Sequence, residues 1–128
     1  MQITAPKPTG KDALAVASED GAFVTDFQAV CVANPLPSAV PNIQVNGKPV
    51  YVARLTAAGL DAYYKELQSV PEDIYRAGLL AFAIRDKFGK RIFGPDHLHM
   101  LAETPSEIAV PISEHFLEVN GMSGRRKN

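Results

Sequence analysis

Hydrophobic and polar positions change period along the chain, and the changes mark its elements. From residue 43 the chain runs Ile43-Gln44-Val45, then Asn46-Gly47, then Lys48-Pro49-Val50-Tyr51-Val52-Ala53-Arg54-Leu55. Asn-Gly between β-rich runs favours a type I′ turn, because both central positions need positive φ, so this stretch predicts a β-hairpin. Pro49 has no amide to donate, so the returning strand is expected at an edge, or paired fully only from Val50 onward. A helical period follows. Leu60, Tyr63, Tyr64 and Leu67 keep the i, i+3, i+4, i+7 rule, with Asp61, Lys65, Glu66 and Gln68 on the wetter side. Thr56 is placed to cap this helix, and Leu55 and Leu60 to staple its first turn. Ser69-Val70-Pro71-Glu72-Asp73 ends it and starts a second helix, predicted to reach about Arg85, with two acids at the positive end of its dipole. Ala77 to Ile84 is apolar almost all round, which makes this helix central to the core or shared with a partner subunit.

Asp86 to Arg91 reads as a turn, after which Ile92 and Phe93 return to apolar surroundings. Gly94-Pro95-Asp96 starts a short helix with Leu98, Leu101 and Ala102 inward. Thr104-Pro105-Ser106-Glu107 matches a capping box with proline at the first helical position. The last helix is expected to make one turn, kink at Pro111, turn Ile108, Ile112, Phe116 and Val119 inward, and stop at Asn120-Gly121. Upstream of the hairpin, Lys11 to Ser18 predicts a short helix, 27–33 a strand, and Pro35, Pro37 and Pro41 a loop or edge segment. Residues 1–10 are expected to be a flexible arm, 11–121 a single globular domain and 122–128 a flexible basic tail. The fold class expected is α+β, mainly α, with four or so helices in the C-terminal two-thirds and a small antiparallel β-hairpin N-terminal to them.

Composition narrows the partners. The 128 residues are 46% hydrophobic and 21% charged, as in an ordinary soluble domain able to build a core without disulfides or metal. Thirteen Lys and Arg against fourteen Asp and Glu leave a formal charge of −1, which provides no general pull towards nucleic acid or anionic lipid. No apolar stretch is long enough to span a bilayer, since Arg76 and Arg85 bracket the 77–84 run, and the N-terminus lacks the pattern of a secretory signal. The single cysteine, Cys31, lies in an apolar run and fits a reducing cytoplasm.

Candidate chemistry is sparse. Asp96-His97-Leu98-His99 with His115 offers metal-ligand residue types, but on a helix residues 97 and 99 point about 200° apart, whereas helical zinc ligands sit three or four apart. The flanking Pro95 and the Leu98/Leu101 spacing favour the helix over a strand, where the two would share a face. Nothing around Cys31 lowers a thiol pKa, no phosphate-loop pattern occurs, and Glu72-Asp73 is explained by the helix dipole. Arg125, Arg126 and Lys127 provide too few phosphate contacts for firm nucleic-acid binding. No catalytic residue, cofactor or metal is therefore expected. Tyr63 and Tyr64, with Leu60 and Leu67, read either as an interaction face or as packing on the second helix.

Val50-Tyr51-Val52-Ala53-Arg54-Leu55-Thr56-Ala57-Ala58, followed by Asp61-Ala62-Tyr63, resembles a stretch of the tail assembly chaperones of long-tailed bacteriophages. There a Val-Tyr-Val strand runs into Leu-Thr-Ala and an acidic, tyrosine-bearing helix. Ile84-Arg85-Asp86, Gly89-Lys90-Arg91-Ile92-Phe93 and Leu101-Ala102-Glu103, with a last helix ending near Asn-Gly, look like the same family. The resemblance spans roughly residues 45 to 121; it departs at Ala53-Arg54, Lys87-Phe88, Pro95 and His97.

The resemblance implies a non-enzymatic factor of the host bacterial cytoplasm, absent from the mature virion. It would bind the helical tape measure protein, keep it soluble and recruit tail tube subunits. Such proteins often have a longer frameshifted companion, and Arg126-Lys127-Asn128 is compatible with a slippery coding run. An edge hairpin and apolar helical faces suit reversible protein contacts, including self-association into a homo-oligomer. The surfaces expected to carry tape measure or self contacts are Val50, Tyr51 and Val52 of the hairpin, Leu60, Tyr63, Tyr64 and Leu67 of the first helix, and Arg125, Arg126 and Lys127 of the tail. The alternatives are a structural tail or head-completion protein and, third, a small metal-dependent accessory enzyme using His97, His99 and His115.

Overall fold

The computed structural model describes residues 21–29 and 35–122. The chain divides into two compact units, Met1–Asn34 and Pro35–Asn128. The 1–10 arm, the helix over 11–18 and the tail residues Arg125, Arg126 and Lys127 lie outside the described residues.

In the N-terminal unit residues 21–29 are helical (α1), which corrects the strand expected from residue 27; residues 30–33 lie outside the described residues. The helix is held by contacts four residues apart. The Phe23 and Phe27 rings pack at 5.9 Å, and Thr25 Oγ1 donates to the Gly21 carbonyl at 3.1 Å. Such local pairs decide the conformation where β-propensity has no partner strand to act on.

The C-terminal unit is α+β and mainly α. Its order is β1 (Ser38–Val45), β2 (Lys48–Val52), α2 (Ala57–Gln68), a 3-10 turn (Glu72–Ile74), α3 (Tyr75–Ala83), β3 (Ile84–Arg85), a second 3-10 turn (Pro95–His97), α4 (Leu98–Ala102) and α5 (Ser106–Val119). The sheet is antiparallel in the order β1-β2-β3. Asn46 and Gly47 take φ of 52° and 77°, the two positive values that a type I′ turn requires. β2 is central rather than an edge, yet β3 pairs only with Tyr51 and Val52, so pairing on both sides begins beyond Pro49. β1 forms one outer edge of the sheet. There the register shifts between Ala39 and Gln44, around Pro41 and an Asn42 with φ of 64°.

Thr56 caps α2 as expected, its Oγ1 accepting from the Gly59 amide at 3.0 Å. In α3 every residue from Ala77 to Ala83 is buried. The helix ends at Ala83, short of the expected Arg85, because Ile84 turns to extended φ/ψ and joins β2. α5 runs unbroken through Pro111 and differs from expectation at its start. Pro105 is the extended residue before the helix rather than its first residue, so Thr104 stands one position too early and no capping box forms. The inward face is Ala109, Ile112, Ser113, Phe116 and Leu117. Ile112 and Phe116 face inward as expected, whereas Ile108 faces out and Val119 is half-buried against the core, so the stripe is turned by roughly 70° towards Ala109, Ser113 and Leu117. Ala102 and Ile92 are likewise exposed. After α5, Gly121 (φ 73°) allows Met122 N–H to reach the Leu117 carbonyl at 2.7 Å and Gly121 N–H the Glu118 carbonyl at 3.1 Å. This Schellman closure buries Met122, a residue expected in the flexible tail.

The core is centred on Phe116, Leu80 and Val52, with Tyr63 packing against Phe82 at 5.4 Å and Phe116 at 5.3 Å between ring centroids. Asn120 ties this core shut. Its Oδ1 accepts from Leu55 N–H at 2.7 Å, while its Nδ2 donates to the carbonyls of Ala53 at 2.9 Å and Phe116 at 2.8 Å.

Candidate functional site

Two apolar cavities open beside the N-terminal end of α3. The first, of about 230 Å³, lies among Tyr63 and Tyr64 of α2, Tyr75 and Leu79 of α3, Leu117 of α5 and the buried Met122. The i, i+4 spacing of Tyr75 and Leu79 puts both on one helix face, and the Schellman closure carries Met122 back against them. Tyr64 Oη lies 3.5 Å from Met122 Sδ, and the Tyr63 and Tyr64 rings are tilted with centroids 5.3 Å apart. Burial, then the neighbouring phenols of Tyr75 and Tyr64, push the Tyr63 pKa well above its ordinary value, so Tyr63 is a neutral wall of the cavity. The second cavity, of about 200 Å³, includes Leu80, Leu101, Thr104, Ala109 and Val110 in its lining.

Arg76 lines both cavities. Its side chain has no ion-pair partner among the described residues, where the close acid–base pairs are Arg91 with Glu66 and His97 with Asp96. The site therefore combines apolar walls, exposed aromatic edges at Tyr64 and Tyr75 and the Arg76 cation, which has no ion-pair partner among the described residues.

The expected partner residues are divided by the fold. Tyr63 and Tyr64 reach the first cavity, Tyr63 from within and Tyr64 from a 40% exposed position. Val52 and Leu67 are taken up by the core and offer no surface to a partner, and Tyr63 offers only its cavity wall. Val52 sits at the crossing of β2 with β3, and Leu67 follows Tyr63 along the inward stripe of α2. Val50, Tyr51 and Leu60 are half-buried. Sequence reasoning missed Tyr75, Arg76, Leu79, Leu117 and Met122 as site residues. The Tyr75/Leu79 spacing carried a signal; nothing local marked Met122.

The basic stretch from Arg85 to Arg91 has a structural role at its base. Arg91 makes a bidentate pair with Glu66, at 2.8 Å through Nη1, and its guanidinium lies 5.1 Å from the Phe82 ring centroid. Arg85 Nε and Nη2 donate to the Phe82 carbonyl at 3.0 and 2.9 Å. Burial, then the Arg91 charge, lower the Arg85 pKa, and Glu66 partly restores it. Asp86 Oδ1 accepts from the amides of Phe88 and Lys90, which closes the turn.

The histidines serve separate tasks. His97 Nδ1 accepts from Gly94 N–H at 3.0 Å and lies 3.5 Å from an Asp96 carboxylate oxygen. His115 Nε2 lies 2.8 Å from Ser38 Oγ and fastens α5 to β1, away from both cavities. His99 is exposed. Among the described residues no group of three His, Cys, Asp or Glu side chains is placed to hold a metal ion, and no helix is long and apolar enough to cross a membrane.

Compared with known proteins, the chain matches no family model, no curated protein and no solved structure.

Proposed function

We propose that this chain is a tail assembly chaperone of a long-tailed bacteriophage. It binds the tape measure protein, keeps it soluble and brings tail tube subunits to it during tail morphogenesis, without catalysing a reaction. The observation that carries this reading is the tyrosine-lined cavity of about 230 Å³, left open among α2, α3 and α5. An amphipathic helical segment, the form a tape measure offers, docks by seating side chains in such grooves. The resemblance to the chaperone family supports the same reading, since its residues, 45 to 121, lie within the unit Pro35–Asn128 that builds the cavity.

The test is co-expression with a tape measure protein from a phage genome that encodes this chain, read by soluble yield and size-exclusion co-elution. A higher soluble yield with co-elution is expected. Insoluble tape measure with this protein eluting alone overturns the reading. Mass spectrometry of purified virions adds a second criterion: a chaperone is missing from them, whereas a structural tail or head-completion protein is present.

A further inference from the structure

The two cavities share one wall, and that wall is charged. At 100° per residue, Arg76 lies between the Tyr75/Leu79 side of α3 and the Ala77/Leu80 side, and this exposed arginine lines both hollows. We infer that the two cavities receive two apolar side chains of one helical partner segment, and that Arg76 pairs with a carboxylate carried between them. That the segment belongs to a tape measure protein rests on the proposed function; the recognition rule does not.

Size points to side chains rather than a free metabolite. Each cavity, about 230 and 200 Å³, falls below the roughly 300–1,000 Å³ of small-molecule pockets, and an apolar cavity of roughly 150 Å³ already holds a benzene ring. Each hollow therefore suits one large apolar side chain. Charge then selects the partner. Glu72 and Asp73 precede Arg76 by about one turn, but neither comes within ion-pair distance of it. A wholly apolar segment laid across Arg76 would strip water from the guanidinium and leave it unpaired, and a basic one would add repulsion. A segment with Asp or Glu at that point replaces the lost water with a charge-assisted pair. Apolar residues at i and i+7 with an acid at i+3 or i+4 occupy one face of a helix, the same order as cavity, cation and cavity. Tyr64 and Tyr75, 40% and 46% exposed at the mouth of the first cavity, are side chains of the type that anchors protein interfaces.

The chain has no tryptophan, so a synthetic amphipathic peptide with Trp at i, Glu at i+3 and Leu at i+7 reports its own burial free of background emission. Titrated into the full-length protein, its emission is expected to shift to the blue with saturation. The matching peptide with Lys in place of Glu is expected to bind at least about tenfold more weakly. Arg76→Glu reverses this preference and Arg76→Gln flattens it. Tyr75→Ala weakens both peptides alike; circular dichroism checks that each variant is folded. Equal affinity for the two peptides, a preference unmoved in Arg76→Glu, or no binding of either peptide overturns the inference. Discrimination between peptides alongside a failed tape measure co-expression retains the recognition rule and discards the chaperone reading; the converse result does the opposite.

Discussion

The Asn120 carboxamide takes the place of a neighbouring strand for Ala53, donating to its carbonyl at 2.9 Å while accepting from the Leu55 amide at 2.7 Å. Its orientation is fixed by chemistry, since Leu55 N–H only donates and the Ala53 and Phe116 carbonyls only accept. One side chain thus joins the end of α5 to the segment leaving β2. Asn120→Ala removes these bonds and is expected to cost about 1–3 kcal/mol. Asn120→Asp keeps the acceptor but turns a carboxylate towards two carbonyls, and is expected to cost at least as much. Urea unfolding midpoints of the three proteins check the order.

Gly78 is the contact point of α3 with the segment after α2. A Cβ built there meets both Val70 methyl carbons at 2.8 Å. Gly78→Ala gains up to ~1 kcal/mol of helix propensity and incurs ~1–3 kcal/mol of overpacking, so net destabilisation is expected. Val70→Ala on the same background frees the space. The double variant is therefore expected to lose less stability than the two single losses added together, and a double-mutant cycle in urea reads the difference.

Tyr63 links stability to alkaline pH. Burial, then Tyr75 and Tyr64, raise its pKa in the folded chain above the ordinary value of 10.0. A phenol with a higher folded than unfolded pKa contributes stability that is whole below the unfolded value and is lost as pH rises towards the folded one. Unfolding is thus favoured above about pH 10, with a slope for this proton of up to ~1.4 kcal/mol per pH unit. Tyr63→Phe keeps the ring packing on Phe82 and Phe116 and removes the proton. Its stability, measured by urea unfolding from pH 8 to 11, is expected to decline less steeply than that of the parent. An unchanged slope contradicts this role.

Legibility in the sequence followed the range of the interactions. Asn46-Gly47, Thr56 and the Leu60-to-Leu67 stripe were readable because turn chemistry, capping and helical period act over a few residues. The end of α3 was not, because Ile84 leaves a helix-compatible run to meet Tyr51 and Val52, more than thirty residues away in sequence. The start of α5 misled for a subtler reason: Pro105 fits the first helical position and the cap equally well in φ, and only ψ separates them. The candidate site was half visible. Tyr63 and Tyr64 stood out as aromatic helix positions, whereas Arg76 becomes notable only once folding sets it on the lining of both cavities.

Site-specific photocrosslinking tests the central claim most directly. A photoreactive phenylalanine replaces Tyr75 at the mouth of the first cavity in one variant, and Val45, 58% exposed beside the hairpin turn, in another; each is co-expressed with tape measure protein. A covalent adduct to tape measure is expected from position 75 and not from position 45. Adducts from position 45 alone, or none from position 75 in a complex that co-elutes, contradict the placement of the partner over the tyrosine-lined cavity.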